Sequence, residues 1–135
     1  MSAAPIIPFR RKVVAHLKAD SVVTALMPAG RIYGERSDAE TDWPFSRCGE
    51  FEGEPGHIVR GNVHVFSKSD FTDEVGGIIE AVGTSLDRAV IELADGRKAH
   101  VEVARTRILP DPAEQSAWHG IVTVIATIKR PCDEP

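Results

Sequence analysis

Residues 58–86 read IVRGNVHVFSKSDFTDEVGGIIEAVGTSL, and the apolar period changes once within them. Over Ile58 to Phe66, Val59, Val63 and Val65 alternate with Arg60, Asn62 and His64, the two-residue period of a strand with one apolar face. From Asp70 onward, Val75, Ile78, Ile79, Val82 and Leu86 fall at i, i+3, i+4, i+7 and i+11, the stripe of an amphipathic helix that Asp70 can cap. The strand and the helix each need an apolar surface opposite, and each supplies one to the other. Gly76, Gly77 and Gly83 weaken the helix intrinsically, so packing must hold it, and Val75-Gly76-Gly77-Ile78 reads as a point of close helix-to-sheet approach. The segment has neither the P-loop lysine nor the spacing of a dinucleotide-binding loop.

Upstream, Phe9, Val13, Val14 and Leu17 follow helical spacing from Pro8 to Ala19, with the basic residues on the opposite face. Asp20 or Ser21 can cap a second short turn over Val22 to Leu26, which Met27-Pro28-Ala29-Gly30 ends. Arg31 to Gly34 reads as a short strand, and Glu35 to Asp42 as an exposed polar loop closed by Trp43-Pro44. Phe45 to Glu52 alternates as a strand with Phe45 and Phe51 on one face, and Gly53-Glu54-Pro55-Gly56 supplies a turn into Ile58 to Phe66, giving an antiparallel hairpin.

Downstream come Ala89 to Leu93, a turn at Asp95-Gly96, Ala99 to Ile108, a Pro110-Asp111-Pro112 loop, and Trp118 to Ile128, where Trp118, Gly120, Val122, Val124, Ala126 and Ile128 alternate. The order helix, three strands, helix, three strands predicts an α+β fold: one antiparallel or mixed β-sheet with two main helices packed on it. At 135 residues the whole chain reads as a single domain, residues 1–135, with residues 1–7 and 130–135 as flexible tails.

Composition excludes several function classes. Hydrophobic residues at 42% and charged residues at 27% are ordinary for a water-soluble globular chain, and no apolar run approaches the roughly 20 residues of a membrane span, so no membrane partner is expected. Arg10, Arg11 and Lys12 are followed by a stretch that His16, Lys18 and Asp20 interrupt, so no signal peptide is read and cytoplasmic synthesis is expected. A net charge of -4 argues against phosphate-driven nucleic-acid binding, and Arg105 and Arg107 are too few to reverse that. Cys48 and Cys132 form neither a disulfide framework nor a CxxC pair and are expected to be free thiols.

Candidate chemistry is sparse. His16, His57, His64, His100 and His119 show no HExxH frame and no metal-ligand spacing, so they read as surface or half-buried sheet residues. No GxSxG elbow exists, and neither cysteine has a cue pairing it with a base. The acidic runs Glu35 to Asp42 and Glu50 to Glu54 lack the alternating register of a calcium loop. No catalytic residue, cofactor or metal is expected.

Three groups of residues carry a family resemblance. Leu17 to Leu26 (LKADSVVTAL), then Gly30-Arg31-Ile32-Tyr33, then Pro44-Phe45, resembles the opening of the phage tail-completion family, also called tail-terminator or minor tail proteins. Val63-His64-Val65-Phe66-Ser67 followed by the helix from Asp70 resembles its middle, and His119 to Val124 its closing strand. Phe45 stands where the family more usually has tyrosine. The resemblance implies a non-enzymatic virion part found in phages, prophages and gene transfer agents. It forms a homo-hexameric ring that caps the tail tube, stops its polymerisation and presents its other face to the head-side connector or stopper protein, while DNA passes through without specific binding. Under that reading Glu35, Asp38, Glu40, Asp42, Glu52 and Glu54 are candidates for ring, tube or channel contacts. A head-side connector or stopper is the nearest alternative, and a small cytoplasmic enzyme the alternative from another class.

Overall fold

The computed structural model describes residues 5–34, 42–113 and 116–130. The helices α1 (Ile6–Lys18) and α2 (Ser21–Leu26) are followed by a 3-10 turn at Ala29–Arg31 and by β1 (Ile32–Tyr33), β2 (Phe45–Glu54) and β3 (Ile58–Lys68). The helix α3 (Asp73–Leu86) then leads to β4 (Val90–Glu92), β5 (Lys98–Pro110) and β6 (Ala117–Lys129). This is the α+β arrangement that the two apolar periods predict. Ile6 and Ile7, expected in a flexible tail, belong to α1. Residues 1–4 and 131–135 lie outside the described residues, as does most of the polar loop, residues 35–41.

The six strands form one curled sheet in the order β1-β2-β3-β6-β5-β4. The sheet is mixed, because β1 runs parallel to β2 while every other pair is antiparallel. Its centre is the β3–β6 ladder, unbroken from Ile58 opposite Thr127 to Lys68 opposite Ala117. Helix α1 touches both β2 and β4, near opposite edges of the sheet, so the curl closes around Phe9, Val13 and Leu17. Helix α3 lies over β6, β5 and β3, and His16 Nε2 reaches the Ser85 carbonyl of α3 at 3.0 Å, so the helices share one face.

Helix boundaries follow local chemistry. The Asp20 carboxylate accepts from the amides of Val22 (2.9 Å) and Val23 (3.3 Å), capping α2 and satisfying two donors that the first turn leaves without partners. Asp70 does not cap α3. That helix begins after Thr72, which makes no side-chain cap, and Asp73 and Glu74 in the first turn complement the helix dipole instead. The predicted stripe Val75, Ile78, Ile79, Val82 and Leu86 is buried throughout.

Two departures concern the strands. Phe45 and Phe51 share parity in sequence but face opposite sides, because the β2–β3 register shifts between Gly49 and Glu52, with Glu50 at φ +54°. An extra residue inverts the inside–outside pattern beyond it. Phe51 therefore packs on the helix side, its ring 5.8 Å from that of Phe9 and over Gly61, where a Cβ would lie 2.6 Å from the ring.

The helix glycines are not the close-approach point that the sequence suggests. A Cβ at Gly77 or Gly83 would meet nothing within 4 Å, whereas one on strand Gly120 would lie 2.5 Å from Ile79 Cγ2 and 3.0 Å from Val75 Cγ2. The close contact exists, but its glycine is on the sheet.

Gly120→Ala should therefore destabilise the fold by about 1–3 kcal/mol through overpacking, and Ile79→Ala by about 2–5 kcal/mol through a cavity at the same seam. Gly77→Ala should stabilise it by about 0.5–1 kcal/mol, since the helix gains propensity at no steric cost. Chemical-denaturation midpoints of the three variants test this ordering.

Candidate assembly surfaces

The helix-free face of the sheet carries Phe45, Arg47, Glu52 and Glu54 from β2 and Arg60, His64, Phe66 and Lys68 from β3. From β6 and β5 it carries His119, Ile121 and Thr123, and Arg105, Arg107 and Leu109. Aromatic rings cross the strands here as a ladder. Trp43 meets Phe45 edge-on at 5.1 Å, Phe45 stacks on Phe66 at 4.9 Å, and Phe66 stacks on His119 at 4.5 Å. The Arg47 guanidinium lies 5.1 Å above Phe66 and the Lys68 ammonium 5.9 Å from Trp43, so cations cover the outer ring faces. Phe45 and Phe66 are thereby buried although no helix covers this side.

Beside the ladder runs a chain of ionisable groups that the sequence left scattered. His64 Nδ1 lies 2.7 Å from His119 Nε2, and His64 Nε2 contacts the Glu50 carboxylate. An ionised carboxylate only accepts, so His64 donates Nε2–H to Glu50; with His64 neutral, its Nδ1 then accepts Nε2–H from His119. Burial pushes the His119 imidazole below its ordinary value of 6.5, and the neighbouring His64 acts in the same direction. Alternation assigns His64 and His119 to strand faces, but only the β3–β6 pairing, remote in sequence, makes them neighbours.

The acidic candidates do not form one surface. Glu35, Asp38 and Glu40 lie outside the described residues. Asp42 is exposed just before β2, whereas Glu52 and Glu54 belong to the far end of that strand, which takes in Glu54 from the expected turn. A ten-residue strand separates the two positions by roughly 30 Å. Glu54 is engaged by Arg60 Nε at 2.7 Å, while Glu52 is exposed and makes no ion pair among the described residues.

The edge of the sheet offers a second surface. Its outer backbone is satisfied as far as Val103: Ala89 accepts from the Val101 amide, Val101 accepts from the Arg88 amide, and Asp87 accepts from the Val103 amide. Beyond the register shift at Ala104, β5 runs on to Pro110 with β6 on one side and, among the described residues, no strand on the other. Arg105 to Pro110 are exposed, including Ile108 and Leu109 at 38% each, and Phe71 nearby is 71% exposed.

Burial pushes the Cys48 thiol up to about 12, which suppresses the thiolate that a nucleophile requires. Among the described residues, no group of three or more His, Cys, Asp or Glu is placed to hold a metal, and no helix is long and apolar enough to cross a membrane.

A sequence model of the family described as tail completion protein gp17 matches residues 11–129. A chain solved within the virion of a native gene transfer agent particle superposes with a TM-score of 0.80 at 15% identity, over 95% of this chain and 99% of that one. No curated protein matches this chain by sequence.

The His119 environment has a measurable consequence. The folded chain binds fewer protons at this site than the unfolded chain between the lowered value and 6.5. The associated stability is therefore present above 6.5 and lost as pH falls below it. Thermal melts should show a lower Tm at acidic than at neutral pH, and His119→Gln, which keeps a donor but does not titrate, should reduce that slope.

Proposed function

The chain belongs to the tail completion protein gp17 family, and on that premise we propose that it is a tail terminator, a ring that caps the tail tube and stops its polymerisation. Its coarser role follows from the family itself: it is a structural component of a phage-type tail, part of the virion, and not an enzyme. The proposal adds six copies in the ring, the tail tube protein on one side and the head-side connector or stopper on the other. The observation that carries it is the family match, which spans residues 11–129.

The physical features are those a closed ring needs. A cyclic assembly uses two different surfaces on each copy, joined by a rotation that closes. The sheet offers two unlike edges, and α1 braces both, so the subunit can transmit force between neighbours without unfolding locally. Of the acidic candidates, Asp42, Glu52 and Glu54, together with Glu35, Asp38 and Glu40, are proposed to serve ring, tube or channel contacts. Asp42 stands at one end of β2 and Glu52 and Glu54 at the other, which divides these three between at least two contacts.

Charge decides how such a ring treats DNA. Six copies at -4 each give 6 × -4 = -24, so the assembly repels a phosphate backbone within the range that salt leaves unscreened. DNA passes through without adhering.

Particles made without this chain should carry tubes of uncontrolled length and should fail to join heads, and supplying the chain in trans should restore both properties. Tubes of normal length lacking only heads would instead make the protein a stopper. In a filter-binding assay at low salt, the assembled protein should retain no duplex DNA, and tight, salt-sensitive retention would contradict the repulsive channel.

A further inference from the structure

We propose that neighbouring copies join through unlike sheet edges, the open β5 edge from Ala104 to Pro110 of one copy meeting the Glu52-bearing β2 edge of the next. This deepens the ring reading above and rests on it. A strand edge with free donors and acceptors is a template for another chain, and soluble proteins leave such edges open only where something covers or blunts them. Here the covering groups, Asp87, Arg88 and Ala89, stop at Val103. The remainder carries two exposed apolar side chains, Ile108 and Leu109, that a partner would bury.

Charge selects the occupant. Arg105 and Arg107 stand on one face of the open segment, opposite Thr123 and Ile121 of β6, and neither makes an ion pair among the described residues. Two copies joined edge to edge through β5 alone would place these arginines against each other, and like charges directly opposite are unfavourable. That disfavours a two-fold dimer. The other end of the sheet carries the opposite sign on the same face: Glu52 and Glu54 of β2, with Glu50 at the bulge. Glu54 is held by Arg60 and Glu50 contacts His64, while Glu52 is exposed, acts on Arg60 only through its charge and makes no ion pair among the described residues, so it is the carboxylate best placed to meet a neighbour.

Direction agrees as well. Crossing the sheet from β2 through β3 and β6 to β5 passes three antiparallel pairs, so β5 runs opposite to β2. Strand β1 covers β2 only at Ser46 and Arg47, so Glu52 lies in the part of β2 beyond it, level with Glu102 rather than with Arg105 or Arg107. A copy related by rotation about a ring axis inclined to the strands therefore brings its β2 antiparallel to the neighbour's β5, displaced along the strand direction, with the charged faces on the same side. The joint is heterologous, the kind that closes rings. Within one chain, Arg105 also lines a shallow cleft shared with Glu50, Glu52 and Arg60, whereas Arg107 stands outside it. Arg107 is thus the freer of the two to reach a neighbour.

Charge reversal with mixing tests the joint. The double variant R105E/R107E and the single variant E52R are each examined by light scattering and negative-stain microscopy, alone and on tail tubes, with circular dichroism and Tm confirming folding. Each variant alone should lose at least ten-fold in assembled fraction. An equimolar mixture should recover rings, because alternation in an even-numbered ring pairs every reversed β5 edge with a reversed β2 edge. Variants that assemble as the wild type does, or a mixture that does not recover, would overturn the proposed joint. Wild-type protein that forms no ring even on tubes would overturn the ring reading itself.

Discussion

The pairing of β3 with β6 is the contact on which the other features depend. It joins two segments about sixty residues apart along an unbroken antiparallel ladder, and loop closure of that length is costly before the ladder repays it. On the helix side, the ladder places Gly120 of β6 beneath α3, so that Val75 and Ile79 can descend onto the sheet. On the open side it brings His119 against His64 and Phe66. One register therefore sets both the core seam and the polar chain, and a slip by one residue would exchange the two faces and lose both.

The periodic parts of this architecture were legible in the sequence. Val59, Val63 and Val65 and the stripe from Val75 to Leu86 announce their buried faces by spacing alone, because burial on one side leaves a direct trace in residue order. The bulge at Glu50 was not legible, since one additional residue in β2 changes no composition yet sends Phe51 to the helix side while Phe45 stays on the other. The close-approach glycine was placed on α3 for a related reason. Three glycines in a helix attract attention, but the contact distance is decided by the opposite surface, where a single glycine at position 120 suffices.

Functional legibility divides in the same way. The order of weak motifs from Leu17 to Val124 was enough to indicate the tail-completion family, to which the chain belongs. Glu35 to Asp42 were read as a loop and Glu54 as part of a turn because charge and turn-forming neighbours suggest exposure. Glu54 instead belongs to β2, and Glu52 is exposed within that strand, at the opposite end from Asp42. The open edge of β5 was invisible beforehand. Whether a strand has one neighbour or two depends on sheet order, and β4 stops after three residues, a property of the whole topology that no local pattern encodes. A structural component of a tail works through contacts rather than catalysis, which explains why motifs built for catalysis or cofactor binding contribute so little to its reading.

Density for this chain in intact particles tests the central claim most directly, by cryo-electron microscopy of the head–tail junction without imposed symmetry at the outset. The account predicts a single ring of six copies at the head-proximal end of the tail tube, each copy's β5 edge facing the β2 edge of the next. Copies distributed along the tube, or confined to the head side of the connector, would contradict it.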